Sequence, residues 1–111
     1  KTHHGSYAFA EPDAVLCDLV IAAKKTAKLL DKALKGVART GMILEGYGVD
    51  HLHAKLFPMH GTGEDSAFKK ISSTQDKYFE RYEGYVSSHD AARADDKALA
   101  GLAAHIRSFA G

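Results

Sequence analysis

The sequence predicts an α+β domain: an antiparallel sheet with one long helix packed on a face and a C-terminal helix beside it. Three observations lead there. An amphipathic stretch runs over 14–35, two short apolar runs follow with a glycine turn between them, and a second helical period lies near the end of the chain. At 111 residues the chain makes one domain, 1–111, with room for one core but not two. The stretch 61–111 reads as a C-terminal extension of that same domain.

The long helix comes first. Leu16, Leu19, Val20, Ala23, Ala27, Leu30 and Leu34 recur at spacings of three and four and line one face. Lys24, Lys25, Lys28, Lys32 and Lys35 fall mostly on the remaining surface and read as a solvated face. Pro12 suits the first turn, and Gly36 ends the helix in the manner of a left-handed cap. Cys17, the only cysteine, cannot form an intrachain disulfide and is expected to be a buried, inert thiol, which suits a reducing, cytoplasmic setting.

Two strands are expected next. Gly41-Met42-Ile43-Leu44-Glu45 is a brief apolar run bounded by glycine, Gly46-Tyr47-Gly48 makes a compact turn, and Asp50 to Phe57 reads as a second strand ended by Pro58. So short a connection implies an antiparallel pair. Between 61 and 94 no period stands out, although Tyr78, Phe79, Tyr82 and Tyr85 lie close together, a local aromatic core by default and a stacking surface for a base as the alternative. From Asp95 a second helix is expected, with Leu99, Leu102, Ala103 and Ile106 on one face.

Bulk charge narrows the function. Fifteen basic residues against fourteen acidic ones give a net charge of +1. There is thus no broad footprint for nucleic acid, and any phosphate recognition must be local. No run approaches the roughly 18 apolar residues of a transmembrane helix, so no membrane partner is expected. The chain opens on Lys1-Thr2-His3-His4 without an initiator methionine, and the lack of a signal-like stretch therefore says little about targeting.

Chemistry concentrates in the second strand. Side chains alternate faces, so Leu52, Ala54 and Leu56 turn toward a core while His51, His53 and Lys55 form a row on the other side, about 7 Å apart. The glycine-rich loop carrying Glu45 is their neighbour, and its small residues let backbone N–H groups approach an anion. Histidine nitrogen is a competent nucleophile near neutral pH, a neighbouring imidazole can fix its tautomer, and an ammonium two residues on can neutralise phosphoryl charge. The same residues leave two other readings open. An H-x-H pair can ligate zinc or iron with His60 or His89 as a third ligand, although Lys55 would repel a cation. Surface histidines without a role are the third reading.

The segment Glu45-Gly46-Tyr47-Gly48-Val49-Asp50-His51-Leu52-His53-Ala54-Lys55-Leu56-Phe57-Pro58 resembles the signature of the histidine triad (HIT) superfamily, His-φ-His-φ-His-φ-φ after a glycine-containing loop. Lys1-Thr2-His3 is similar to the end of the family's Pro-Lys-x-His element, and the order of elements over about residues 1–60 agrees. The resemblance implies that His53 is the nucleophile that becomes nucleotidylated and His51 its orienting partner. It further implies that Gly46 and Gly48 flank the phosphate and that His3 supports the site without touching the substrate. Lys55 stands where the family has its third histidine; it supplies charge and a donor but cannot shuttle a proton as imidazole does. Hydrolysis is then expected to persist with an altered leaving-group preference. The family's usual N-terminal strands, which wrap the base and ribose, are lacking here. The implied activity is that of a nucleotide phosphate hydrolase or nucleotidyl transferase on dinucleoside polyphosphates or nucleoside phosphoramidates. The implied partners are a small-molecule nucleotide and a second copy of the chain in a homodimer. No cofactor or metal site is implied, although a divalent cation can accompany a polyphosphate substrate.

Overall fold

The computed structural model describes residues 5–63, 67–68, 70, 80 and 92–111. Its element order is a short 3-10 turn (Ala8–Ala10), helix α1 (Asp13–Ala33), strands β1 (Val37–Glu45) and β2 (His53–His60), and helix α2 (Asp96–Arg107). Among the described residues the architecture is α+β, a two-stranded antiparallel sheet with two helices. Among the described residues no helix is long and apolar enough to cross a membrane.

Helix α1 begins one residue earlier and ends two residues sooner than its periodicity predicts. Pro12 sits at the N-cap rather than inside the first turn, where its carbonyl accepts from Val15 N–H at 2.9 Å. That position uses a residue with no N–H of its own where no helical donor is needed. Leu34 is the C-cap and Gly36, at φ +74°, lies two residues beyond it. Gly36 thus serves the turn into β1, closed by Val37 N–H donating to Leu34 O at 3.2 Å, rather than capping the helix directly. Of the predicted apolar face Ala23 is buried, but Val20 is 39 % exposed.

Cys17 corrects an expectation: it is exposed, not buried. It stands one residue after Leu16 and two before Leu19, both partly buried, so the helical period turns it away from the sheet-facing stripe.

Both strands extend beyond the predicted runs. β1 starts at Val37 instead of Gly41, and β2 covers His53–His60 instead of Asp50 to Phe57, continuing past Pro58. The reason is cross-strand pairing. Thr40 faces Pro58 and Val37 faces His60, with a bulge between Val37 and Thr40 that takes up the irregularity beside the proline. The connection is also longer than the predicted three-residue turn, running from 46 to 52.

Specific polar links fasten these elements. Thr40 Oγ1 donates to Asp31 Oδ1 at 2.7 Å, tying β1 to the end of α1. Thr62, 2 % exposed, accepts from Ala38 N–H at 2.8 Å and donates to Met59 O at 2.7 Å, closing the far end of the hairpin. Helix α1 packs on both strands, and Leu52, Ala54 and Leu56 line the open cleft it forms with β2, together with His51 and His53. Among the described residues the buried apolar ones are Ala23, Val37 and Leu52, which places their core between α1 and the sheet.

The second helix starts where expected. Asp95 is its N-cap, with the side chain accepting from Ala98 N–H at 2.8 Å. From its last turn His105 Nε2 donates to Ala33 O at 2.9 Å and satisfies a carbonyl left open at the end of α1. A role for His105 beyond a surface residue is not visible from its own helix.

Candidate functional site

The end of the hairpin nearest the 46–52 loop brings three ionisable side chains together. Glu45 closes β1, His53 opens β2, and the two are direct cross-strand partners, so they project from the same face. Lys55 lies two residues further along β2 and shares that face. Glu45 Oε1 makes ion-pair contacts with His53 Nε2 at 2.5 Å and with Lys55 Nζ at 2.7 Å, neither of them angled as a hydrogen bond. The other carboxylate oxygen, Oε2, accepts the backbone N–H of Tyr47 at 2.8 Å. The Glu45 side chain is 3 % exposed, whereas those of His53 and Lys55 are each 31 % exposed. A buried anion therefore holds two cation-bearing groups at a surface they can share with solvent.

The close contact with Lys55, then the hydrogen bond from Tyr47 N–H, draw the Glu45 carboxyl down from 4.5 to about 2, with the charges of His53 and Lys55 adding to them and burial opposing. Glu45 is thus a carboxylate throughout the neutral range.

Both ring nitrogens of His53 face acceptors. Nδ1 donates to His51 O at 2.8 Å, and Nε2 meets the carboxylate. A carbonyl and an ionised carboxylate offer no hydrogen, so the pair is fully satisfied when both nitrogens carry one. In that form no ring lone pair is available for attack on phosphorus.

The predicted site residues are placed as follows. His53 and Lys55 come together. His51 does not continue their row along the strand: it precedes β2, with its N–H donating to Val49 O at 2.6 Å. Its backbone carbonyl accepts from His53 Nδ1 and orients that ring. His51 also borders a recess of about 310 Å³ against α1, with Val15, Asp18, Leu19 and Leu52. Gly48 is open, with nothing within 4 Å of a side chain placed there. Gly46 is packed against the N-terminal segment, where a Cβ would stand 2.3 Å from Ser6 O, and Leu52 N–H donates to Gly5 O at 2.8 Å to hold that segment in place. The room left by glycine at 46 is taken up by the chain itself. His3, Tyr78, Phe79, Tyr82, Tyr85 and His89 lie outside the described residues. Among the described residues no three His, Cys, Asp or Glu side chains gather as a metal site.

The sequence places Glu45 beside the row but gives it no role. A three-residue turn at 46–48 would set it opposite Val49; the observed loop sets it opposite His53. A single carboxylate ending an apolar strand and followed by a basic row was the available signal.

No family model matches the chain, and no curated protein or solved structure matches it either.

Proposed function

We propose that the chain is a HIT-type nucleotide phosphate hydrolase or nucleotidyl transferase, working in the cytoplasm as a homodimer with a HIT-like sheet. Its substrates are dinucleoside polyphosphates or nucleoside phosphoramidates. The observation that carries this reading is the convergence of His53 and Lys55 on one buried oxygen, beside the Gly46–Gly48 loop and within reach of solvent. A nucleophile and a fixed positive charge side by side are what displacement at phosphorus needs.

Attack requires the Nε2 lone pair, so Nε2 leaves Glu45 and its proton passes to solvent. Glu45 is a weak acceptor for that proton, since its carboxyl is held near pH 2. With Nδ1 anchored on His51 O, the ring stays oriented while Nε2 forms a bond to the α-phosphorus. The phosphorus–oxygen or phosphorus–nitrogen bond to the leaving group breaks, with Lys55 balancing the charge that develops there. Water then cleaves the nucleotidyl–histidine bond and restores His53. No metal is required of these residues, and a divalent cation can accompany a polyphosphate substrate.

The test is mass spectrometry after rapid quench with diadenosine tetraphosphate. A nucleotidyl adduct on the wild type that is lost in His53→Ala is expected, and Lys55→His is expected to turn over modestly faster. Absence of both adduct and product from the wild type would overturn the proposal.

A second reading is a HIT-like domain that binds nucleotide without chemistry. The occupied nitrogens of His53 favour it. Binding of the same substrate with neither adduct nor product would select it.

A further inference from the structure

We infer that the Glu45 carboxylate occupies the seat of a phosphoryl group, so that the ligand-free chain is closed by its own anion and a phosphate ligand must displace it. The donors around Glu45 make the set that an oxyanion would recruit. Lys55 Nζ and His53 Nε2 converge on Oε1, and the backbone N–H of Tyr47, from a loop flanked by Gly46 and Gly48, meets Oε2. Two ionisable side chains within ion-pair distance and one main-chain donor form a compact anion cradle, in which Oε1 lacks the well-angled hydrogen bond that a phosphate oxygen could take. A phosphate presents oxygens of the same acceptor type with more charge.

Position makes exchange feasible. Glu45 is the last residue of β1, and the loop that follows it is exposed from Tyr47 through His51. Turning the side chain outward breaks no strand pairing. Both side chains are already partly open to solvent, so an incoming anion can engage them before the carboxylate leaves.

The inference builds on the reading of this cluster as a phosphate site, but anion binding is measurable whether or not an adduct forms. The probe is inorganic pyrophosphate, added to the full chain. Two arms are run. In the first, the wild type carrying 13C-labelled glutamate is titrated by NMR. The Glu45 carboxyl resonance is expected to move to the position of a free carboxylate as pyrophosphate saturates, together with the Tyr47 amide. In the second, Glu45→Gln is expected to bind pyrophosphate at least tenfold more tightly than wild type, and adding Lys55→Met is expected to abolish that gain.

Pyrophosphate bound to the wild type with the Glu45 and Tyr47 resonances unmoved would overturn the inference and leave Glu45 as a permanent brace. So would equal or weaker binding by a folded Glu45→Gln chain, or no binding by either protein. Should Glu45→Gln fail to fold, the wild-type titration decides alone. Displacement of Glu45 without any His53 adduct on diadenosine tetraphosphate would uphold this inference while removing the chemistry proposed above.

Discussion

Replacing Gly46 by alanine tests the claim that the N-terminal segment is docked on the end of the hairpin. An alanine Cβ would stand 2.3 Å from Ser6 O and 2.8 Å from Ser6 Cα and Cβ. Two of those three atoms are backbone, and the segment carrying them is held by Leu52 N–H on Gly5 O at 2.8 Å. Relief requires either a shift of both backbones or detachment of the segment. Overpacking of this kind costs about 1–3 kcal/mol. Detachment forfeits a hydrogen bond worth about 1 kcal/mol and also uncovers Gly46, which is buried. Either route leads to a destabilisation of about 2 kcal/mol, which lowers Tm by roughly 8–16 °C in a domain near this size. Backbone conformation does not enter, since Gly46 is not among the glycines with positive φ. Gly48→Ala is the matched control: nothing lies within 4 Å of its Cβ, and its effect should stay within about 0.5 kcal/mol. Thermal and urea unfolding of the two variants measure the difference. If Gly46→Ala unfolds together with Gly48→Ala, the segment is not docked as described.

Three further predictions follow from the same geometry. Thr62→Val keeps the shape but removes both the acceptor for Ala38 N–H and the donor to Met59 O, so it should destabilise by about 2 kcal/mol in urea unfolding. Asp95→Ala removes the N-cap of α2 and should lose about 1 kcal/mol, together with helical circular dichroism, a loss that Asp95→Ser should largely spare. Glu45 should make stability depend on pH. Its folded pKa lies below its unfolded one, so the contribution is full above about 4.5 and is lost as pH falls toward about 2. Denaturant midpoints measured across that window should fall for wild type and flatten in Glu45→Gln.

The helices were the most legible part of the chain. The three- and four-residue spacing from Leu16 to Leu34 located α1, and Asp95 marked the start of α2, because helical hydrogen bonds and caps join residues close in sequence. Strand alternation placed His53 and Lys55 on one face, where both reach Glu45. The limits of the strands were less legible. Nothing local marks Val37–Thr40 as strand or carries β2 through Pro58; a bulged pairing between the two does so. Cys17 reads as apolar by type, yet its angular position on α1 exposes it.

The candidate site divides along the same line. From the sequence alone came an α+β chain, the pairing of two strands, and a histidine and a lysine set two apart on one of them. The tertiary structure decided what they face. The 46–52 loop sets the register, the register sets Glu45 opposite His53, and burial makes that carboxylate the common partner of His53 and Lys55. It also gave Gly46 to Ser6 and set the His51 carbonyl against Nδ1 of His53. The physical reason is that a side chain's periodicity belongs to its own segment. Its partner across a sheet depends on the length of the loop between strands and on the pairing that closes it, which no single segment encodes.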